Sequence, residues 1–304
     1  MLLHFIAFLQ IKCSGQQKND EEITLEIQNL EVFYKFLVSN LTTISENERK
    51  NNIFKKIYIK SDQDTSPVVS NAIYLSEKLD HNNVLGNISH SIKNNILSLM
   101  SEDAKFTLSS YLKSDVNEMN LLEQLLEGIS YIHSRNISHN NLNLENVFVN
   151  SDGILKIFID EKSNEYLEAN NLSNPQNSIG IAVDLESKRG LFFYEDEYKT
   201  MSLAEDIYSV GTVAANIFKC DEFLKWFLEA YESNKRFYYR CKDENEQREH
   251  QRDFNLQIKN ELEKNMADHD IVELIISCFS FDYFERPTAE KLLESFKMIK
   301  SKNK

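Results

Sequence analysis

The stretch from Leu121 to Asp160 constrains the fold of this 304-residue chain more than any other part of the sequence. Apolar residues recur at helical spacing over its first part, which predicts a helix with one buried face. A polar segment from His139 to Asn146 follows. Two apolar runs then flank the turn from Asn150 to Gly153, which predicts a β-hairpin with Gly153 at a positive φ angle.

This order of helix, polar loop and hairpin resembles the catalytic core of the protein kinases. The segment HNNLNLEN is similar to the HRDLKPEN loop of that family, so that His139 matches its histidine and Asn146 its asparagine. Asn141 stands where the family has its catalytic aspartate, and Asn143 where it has the catalytic-loop lysine. The resemblance therefore implies that no catalytic residue of this loop is intact, because a neutral amide cannot act as a general base.

The end of the hairpin resembles the LKIxDFG segment, whose aspartate holds magnesium in active kinases. By strict register Ile159 occupies the place of that aspartate, and Asp160 comes one residue late. A shift of one residue at a strand end reverses the direction of the side chain. Asp160 is therefore a candidate metal ligand that either faces the cleft or faces away from it.

Three further positions match the nucleotide-binding part of the family. Lys55 lies in an FKKI strand at the place of the lysine that holds the ATP phosphates, with an ordinary edge-strand lysine as the alternative. Asn71 takes the place of the helix glutamate that pairs with this lysine, so the charge-assisted bond is expected to be lost. Met100 falls where a side chain gates the back of the nucleotide pocket.

Glycine is absent from residues 16–85. A backbone can approach phosphate closely only where no side chain blocks it, and glycine supplies that freedom. The glycine-rich loop that covers the phosphates in kinases therefore cannot form in this chain.

Two landmarks with structural roles lie further along the chain. The segment DIYSVG, which begins at Asp206, resembles the start of the central kinase helix. We expect Asp206 to cap that helix or to bind the backbone of the catalytic loop. Arg286 lies in a turn before the last helix and is expected to pair with Glu195 or Glu197.

These landmarks imply an α+β, bilobal, protein-kinase-like fold. A small, mainly β N-lobe is expected over residues 23–103, and a larger, mainly α C-lobe over residues 104–304. Residues 1–15 form either a signal peptide or an N-terminal extension, which leaves cytoplasmic and secreted locations open. The charged segment near 234–253 is predicted as a solvated helical insertion, with a partner-docking surface as the alternative.

Charge and hydropathy narrow the range of partners. With 34 basic against 48 acidic residues the net charge is −14, which disfavours nucleic acid. The apolar run from Leu2 to Ile11 is too short to span a membrane. A protein partner is expected instead, such as an active kinase or another regulated protein.

The substitutions favour a catalytically inactive kinase-like protein, or pseudokinase. It would not be an enzyme and would serve as a binding, allosteric or scaffolding module. No cofactor is expected, and weak binding of ATP and magnesium is the alternative. Two other functions remain open: an unorthodox active Ser/Thr protein kinase that recruits Asp160 to metal, and a secreted effector that presents its fold as a binding surface. The segment YIHSRNISH is most similar to the stress-activated kinases of a translation initiation factor.

Overall fold

The computed structural model describes residues 44, 48–49, 51–58, 74–94, 96–160, 163–165 and 195–302, with the backbone alone at 164 and 195–198. A small antiparallel sheet lies on one side of a larger, mainly helical body. This arrangement confirms the predicted α+β bilobal fold. The predicted features of residues 1–15, the upstream part of the N-lobe and Asn71 lie outside the described residues.

The small lobe contains a sheet in the order β1-β3-β2, in which both pairings are antiparallel. Residues 74–78 of the predicted helix that contains Asn71 are helical. The strands are β1 (Ile53–Tyr58), β2 (Ser89–Lys93) and β3 (Ile96–Met100).

Side chains of β3 alternate between the core and the outer face of the sheet, as the two-residue period of a strand requires. Leu97 and Leu99 are buried, whereas Met100 is half-buried on the opposite face. Met100 does not line the cleft that the structure describes, and its position at the back of the nucleotide pocket stays a prediction.

The larger lobe combines a three-stranded sheet, a pair of two-residue strands near the catalytic loop and a set of packed helices. A short helix follows the linker between the lobes and is capped by the Thr107 hydroxyl. The strands are β4 (Phe106–Thr107), β5 (Ile137–Ser138), β6 (Val147–Val149), β7 (Leu155–Ile157) and β8 (Asn164–Glu165). The helices are α1 (Leu108–Tyr111), α2 (Glu118–Ser134), α3 (Glu195–Ile217), α4 (Asp221–Tyr238), α5 (Glu244–Leu262), α6 (His269–Ser277) and α7 (Ala289–Lys302).

The helix and the hairpin predicted from the central stretch are confirmed. Helix α2 begins after Asn117, whose side chain accepts a hydrogen bond from the backbone of Asn120 and so caps the first turn. Its apolar residues are buried against the hairpin and the helices of the larger lobe. Strands β6 and β7 pair antiparallel, and Gly153 in their turn has a φ angle of 78°. The local sequence pattern thus places the loop between α2 and β6.

Helix α3 begins well before the position predicted from the DIYSVG segment. Asp206 therefore lies inside this helix rather than at its N-terminus, and the predicted helix-capping role is wrong. Gly211, in the same segment, packs against the side chains of Cys278 and Phe279. A Cβ atom built at Gly211 would lie 2.7 Å from the Phe279 ring and 2.8 Å from Cβ of Cys278. Close packing at Gly211 sets how near α3 lies to the end of α6.

We expect Gly211→Ala to destabilise the protein by about 1–3 kcal/mol, because the added methyl group overpacks the core by more than the gain in helix propensity. Urea denaturation measures the change. Gly86→Ala is the matched control, since nothing lies within 4 Å of a Cβ atom at Gly86. An equal change for both variants would contradict the packing role of Gly211.

The charged segment near 234–253 forms the end of α4, a short connection and the first half of α5, and its status as an insertion stays a prediction. Tyr238 is buried, whereas the rings of Phe237 and Tyr239 are each 54% exposed. Partner docking at this segment stays a prediction. No helix within the described ranges is long and apolar enough to cross a bilayer.

Candidate active site

The carboxylate of Asp206 binds the backbone of the loop between β5 and β6. This buried side chain accepts hydrogen bonds from the backbone N–H of His139 at 2.7 Å and of Asn140 at 2.8 Å. The Nε2 atom of His133 on α2 lies 3.0 Å from the same carboxylate. Asp206 thus joins α3, α2 and the loop, which is the backbone-binding alternative of the two roles predicted for it.

His139 fixes the loop against the end of the hairpin. Its Nδ1 atom accepts a hydrogen bond from the backbone of Asn141, so Nε2 carries the proton and donates to the carbonyl of Phe158 at 2.9 Å. The ring is fully buried, and desolvation lowers the pKa of the imidazole below its ordinary value. A neutral, doubly hydrogen-bonded His139 therefore sets the distance between the loop and the segment that follows β7.

The asparagines of the loop hold its shape through their amide groups. Asn143 accepts hydrogen bonds from the backbone of Glu145 and Asn146 and donates to the carbonyl of Asn141 at 2.9 Å. Asn146 donates to the same carbonyl, also at 2.9 Å. Asn143, at the place of the catalytic-loop lysine, therefore stabilises the turn and offers no positive charge to a phosphate.

Asp160 faces the loop, which decides between the two orientations left open by the sequence. The amide of Asn141 donates to its Oδ2 atom at 2.5 Å, and the amide of Asn146 donates to the same oxygen at 3.2 Å. Ile159 points into the main hydrophobic core and is fully buried. Asp160, rather than Ile159, therefore faces the catalytic loop.

Lys55 reaches this carboxylate from the other lobe. Its Nζ atom lies 3.5 Å from Oδ2 of Asp160 and 4.9 Å from the centre of the Phe158 ring. The Asp160 side chain is fully buried, while that of Lys55 is 23% exposed. A cation, a carboxylate and the amide of Asn146 thus meet at the boundary between the lobes.

A cleft of about 240 Å³ opens beside this group. The small lobe contributes Arg49 and Phe54 to its wall, in addition to Lys55. The larger lobe contributes Lys105 and Phe148. No local pattern marks these four additional residues, because each becomes part of a site only when the two lobes are brought together. The absence of glycine from residues 16–85 excludes a glycine-rich loop but does not point to particular side chains.

The donor set fits magnesium held together with a nucleotide. Mg²⁺ is usually bound by one or two protein carboxylates or amide oxygens, plus substrate phosphates and water. Asp160 supplies the carboxylate, and among the described residues the Oδ1 atom of Asn146 accepts no hydrogen bond, so it remains available as a ligand. The described ranges contain no cluster of three or more acidic, histidine or cysteine side chains that would hold a metal alone.

Arg286 has a structural position remote from the cleft. Its guanidinium donates to the carbonyls of Ala204 at 2.7 Å and Ser280 at 2.9 Å, and to the Tyr231 hydroxyl at 3.0 Å. It therefore ties α3 and α4 to the turn before α7. The side chains of its predicted partners at 195 and 197 lie outside the described residues.

Comparison with known proteins relates this chain to the protein kinases. A family model described as the protein kinase domain matches residues 38–296. A probable cell division protein kinase of Encephalitozoon cuniculi is 24% identical over 243 residues, which cover 79% of this chain and 84% of the relative. Cyclin-dependent kinase 11.2 of Caenorhabditis elegans is 28% identical over 128 residues, 42% of this chain and 18% of the relative. A serine/threonine-protein kinase of Saccharomyces cerevisiae is 27% identical over 150 residues, 46% of this chain and 10% of the relative.

These comparisons contradict the prediction that the chain is not an enzyme, because the relatives are named as protein kinases. The prediction drew on the loop asparagines, on the missing glycine loop and on Ile159 at the place of the magnesium-binding aspartate. Asp160, whose direction the sequence left open, faces the catalytic loop. The likeness to the stress-activated kinases of a translation initiation factor stays a prediction.

Proposed function

The chain belongs to the protein kinase family, and from that premise we propose that it is an ATP-dependent phosphotransferase acting on serine or threonine hydroxyls of a protein. The observation that carries the proposal is the meeting of Lys55, Asp160 and Asn146 at one point between the lobes. These are the residue types that bind the phosphates and the metal in phosphoryl transfer. Their burial at the lobe boundary shields the charges from water and strengthens each interaction.

Each of the three side chains has a distinct task in this proposal. Lys55 binds the phosphates of the nucleotide, and its ion pair with Asp160 loosens or breaks when it does so. Asp160 and Asn146 hold magnesium, which when bound neutralises charge on the phosphates. Phosphoryl transfer proceeds through a loose transition state, so that positioning and charge supply most of the catalysis.

Asn141 limits the rate of phosphate transfer at this site. It stands where the family has a carboxylate base, and its amide is already donated to Asp160 at 2.5 Å. The side-chain oxygen of Asn141 can orient the acceptor hydroxyl, but it cannot take up the proton. A missing general base lowers the rate by about 10²–10⁴-fold. We therefore propose a slow kinase that still binds the nucleotide and positions the acceptor hydroxyl. The proton of that hydroxyl passes to water or to a phosphate oxygen instead of a carboxylate.

Nucleotide binding and phosphate transfer test the proposal together. At a nucleotide concentration of about 100 times Kd, ATP with magnesium should stabilise the full-length protein by about 2.7 kcal/mol. This corresponds to a rise in Tm of about 5 °C or more. Transfer of labelled γ-phosphate to serine- and threonine-containing peptides should accompany the shift. Lys55→Ala should reduce both signals, because it removes the phosphate-binding cation.

Lys93→Ala is the matched control, since Lys93 is an exposed lysine on the same sheet. It should leave the Tm shift and the transfer rate unchanged. No shift at millimolar ATP, with or without magnesium, together with no labelled product, would refute the proposed function.

A further inference from the structure

Phe54 is an extra residue in the pairing of β1 with β3. Ile53 pairs with Met100 and Lys55 with Leu99, so that the register shifts across Phe54. In a regular strand, neighbours such as Phe54 and Lys55 would point to opposite faces. A β-bulge bends the strand and re-aims a side chain. Here both side chains reach Phe158, with the Phe54 ring at 5.1 Å and the Lys55 ammonium at 4.9 Å from its centre.

The bulge turns Phe54 onto the larger lobe. The centre of its ring lies 5.2 Å from that of Phe148 on β6, at an interplanar angle of 72°. Aromatic rings in direct contact have centres about 4.5–7 Å apart. This separation therefore leaves no space for a third ring between them. Phe54 and Phe148 are 8% and 3% exposed and belong to one apolar cluster that spans both lobes.

The remaining cleft is small and positively charged. Its volume of about 240 Å³ lies below the range of about 300–1,000 Å³ that is usual for drug-sized ligands. Arg49, Lys55 and Lys105 all contribute to its wall. Within the described ranges, neither Arg49 nor Lys105 forms an ion pair. Two cationic side chains from opposite lobes are thus available to an anion beside the Lys55–Asp160 pair.

From this geometry we infer that the cleft recognises the polyphosphate end of its nucleotide and makes little use of the base. Phe54 occupies the apolar slot in which a base would stack. Arg49 and Lys105 supply the charge that a glycine-rich loop would otherwise provide through backbone N–H groups. This inference rests on the proposed function, because it concerns how the same site binds a nucleoside triphosphate.

Calorimetric titration of the full-length protein in magnesium tests the inference with four probes: ATP, GTP, inorganic tripolyphosphate and adenosine. We expect ATP, GTP and tripolyphosphate to bind with Kd values within about threefold of one another. A difference of about threefold in Kd is only a small part of the total free energy of binding. Adenosine should show no binding at millimolar concentration. ATP binding about 100-fold tighter than tripolyphosphate would overturn the inference and leave the proposed function standing. Absence of binding by all three polyphosphates would overturn both.

Phe54→Ala should create a preference for nucleotides with a base. Opening the slot lets the base stack on Phe148, and ATP and GTP should gain about tenfold over tripolyphosphate. Phe54→Leu, a smaller truncation, replaces this variant if Phe54→Ala does not fold. Phe254→Leu is the matched control, because it shortens a buried phenylalanine on α5, away from the cleft. It should leave the ratio of nucleotide affinity to tripolyphosphate affinity unchanged. An unchanged ratio in a folded Phe54 variant would also overturn the inference.

Arg49→Ala and Lys105→Ala should weaken all three polyphosphates alike, by about three- to tenfold each, because each removes a charge and no contact to a base. Lys113→Ala, which changes an exposed lysine that does not line the cleft, is the control. Loss of ATP binding without a parallel loss for tripolyphosphate would contradict the assignment of these side chains to the phosphates.

Discussion

Replacing Asp160 by alanine is expected to abolish magnesium-dependent binding of ATP and to lower phosphate transfer by at least about 10²-fold. Its carboxylate is the buried anion that faces both Lys55 and Asn146, and removal of one such electrostatic group typically costs 10²–10³-fold in rate. Without Asp160, Lys55 loses the carboxylate with which it forms an ion pair. Transfer of labelled phosphate and the magnesium-dependent rise in Tm measure the effect.

Two further variants separate metal binding from folding. Asp160→Asn keeps the size of the side chain and removes its charge, so it should lose the magnesium dependence while remaining folded at the assay temperature. Asp152→Ala removes an exposed carboxylate from the hairpin turn and should match the wild type in both assays. If Asp160→Asn retained the full magnesium-dependent shift, Asp160 would not be the metal ligand.

The second large effect is expected in stability. Asp206→Ala should lower the free energy of unfolding by about 3–5 kcal/mol, because it leaves the N–H groups of His139 and Asn140 without their acceptor. His133 would also lose its partner. Urea denaturation measures this loss.

Glu205→Ala is the control for Asp206→Ala, since it removes the neighbouring carboxylate from an exposed position. Its effect should stay within about 0.5 kcal/mol of the wild type. A loss below about 1 kcal/mol for Asp206→Ala would show that the catalytic loop does not depend on this carboxylate. At temperatures where Asp206→Ala remains folded, we also expect weaker nucleotide binding, because Asn141 and Asn146 lie in the loop that Asp206 anchors.

The elements that the sequence predicted well are those with a strong local pattern. The apolar face of α2 and the hairpin with its turn at Gly153 each follow from residues close together in the chain. Helical spacing and a turn glycine act over a few residues, so no knowledge of distant contacts is needed. The start of α3 was missed because nothing in the DIYSVG segment shows how far the helix extends upstream.

The site was harder to predict because its parts come from distant segments. Counting residues from Asn146 assigned the metal position to Ile159, whereas the structure turns Ile159 into the core and Asp160 toward Asn146. The direction of a side chain just beyond a strand depends on where the strand stops, and a motif does not specify that. The face of β3 on which Met100 lies likewise follows from the pairing of the strands.

The sequence by itself determined the class of the fold, the identity of the loop residues and the impossibility of a glycine-rich phosphate loop. These follow from local periodicity and from the presence or absence of residue types. Only the tertiary structure decided that Lys55 and Asp160 meet and that the bulge at Phe54 fills the space between the lobes. Both depend on the packing of one lobe against the other, where a shift of one residue redirects a side chain and decides which groups come into contact.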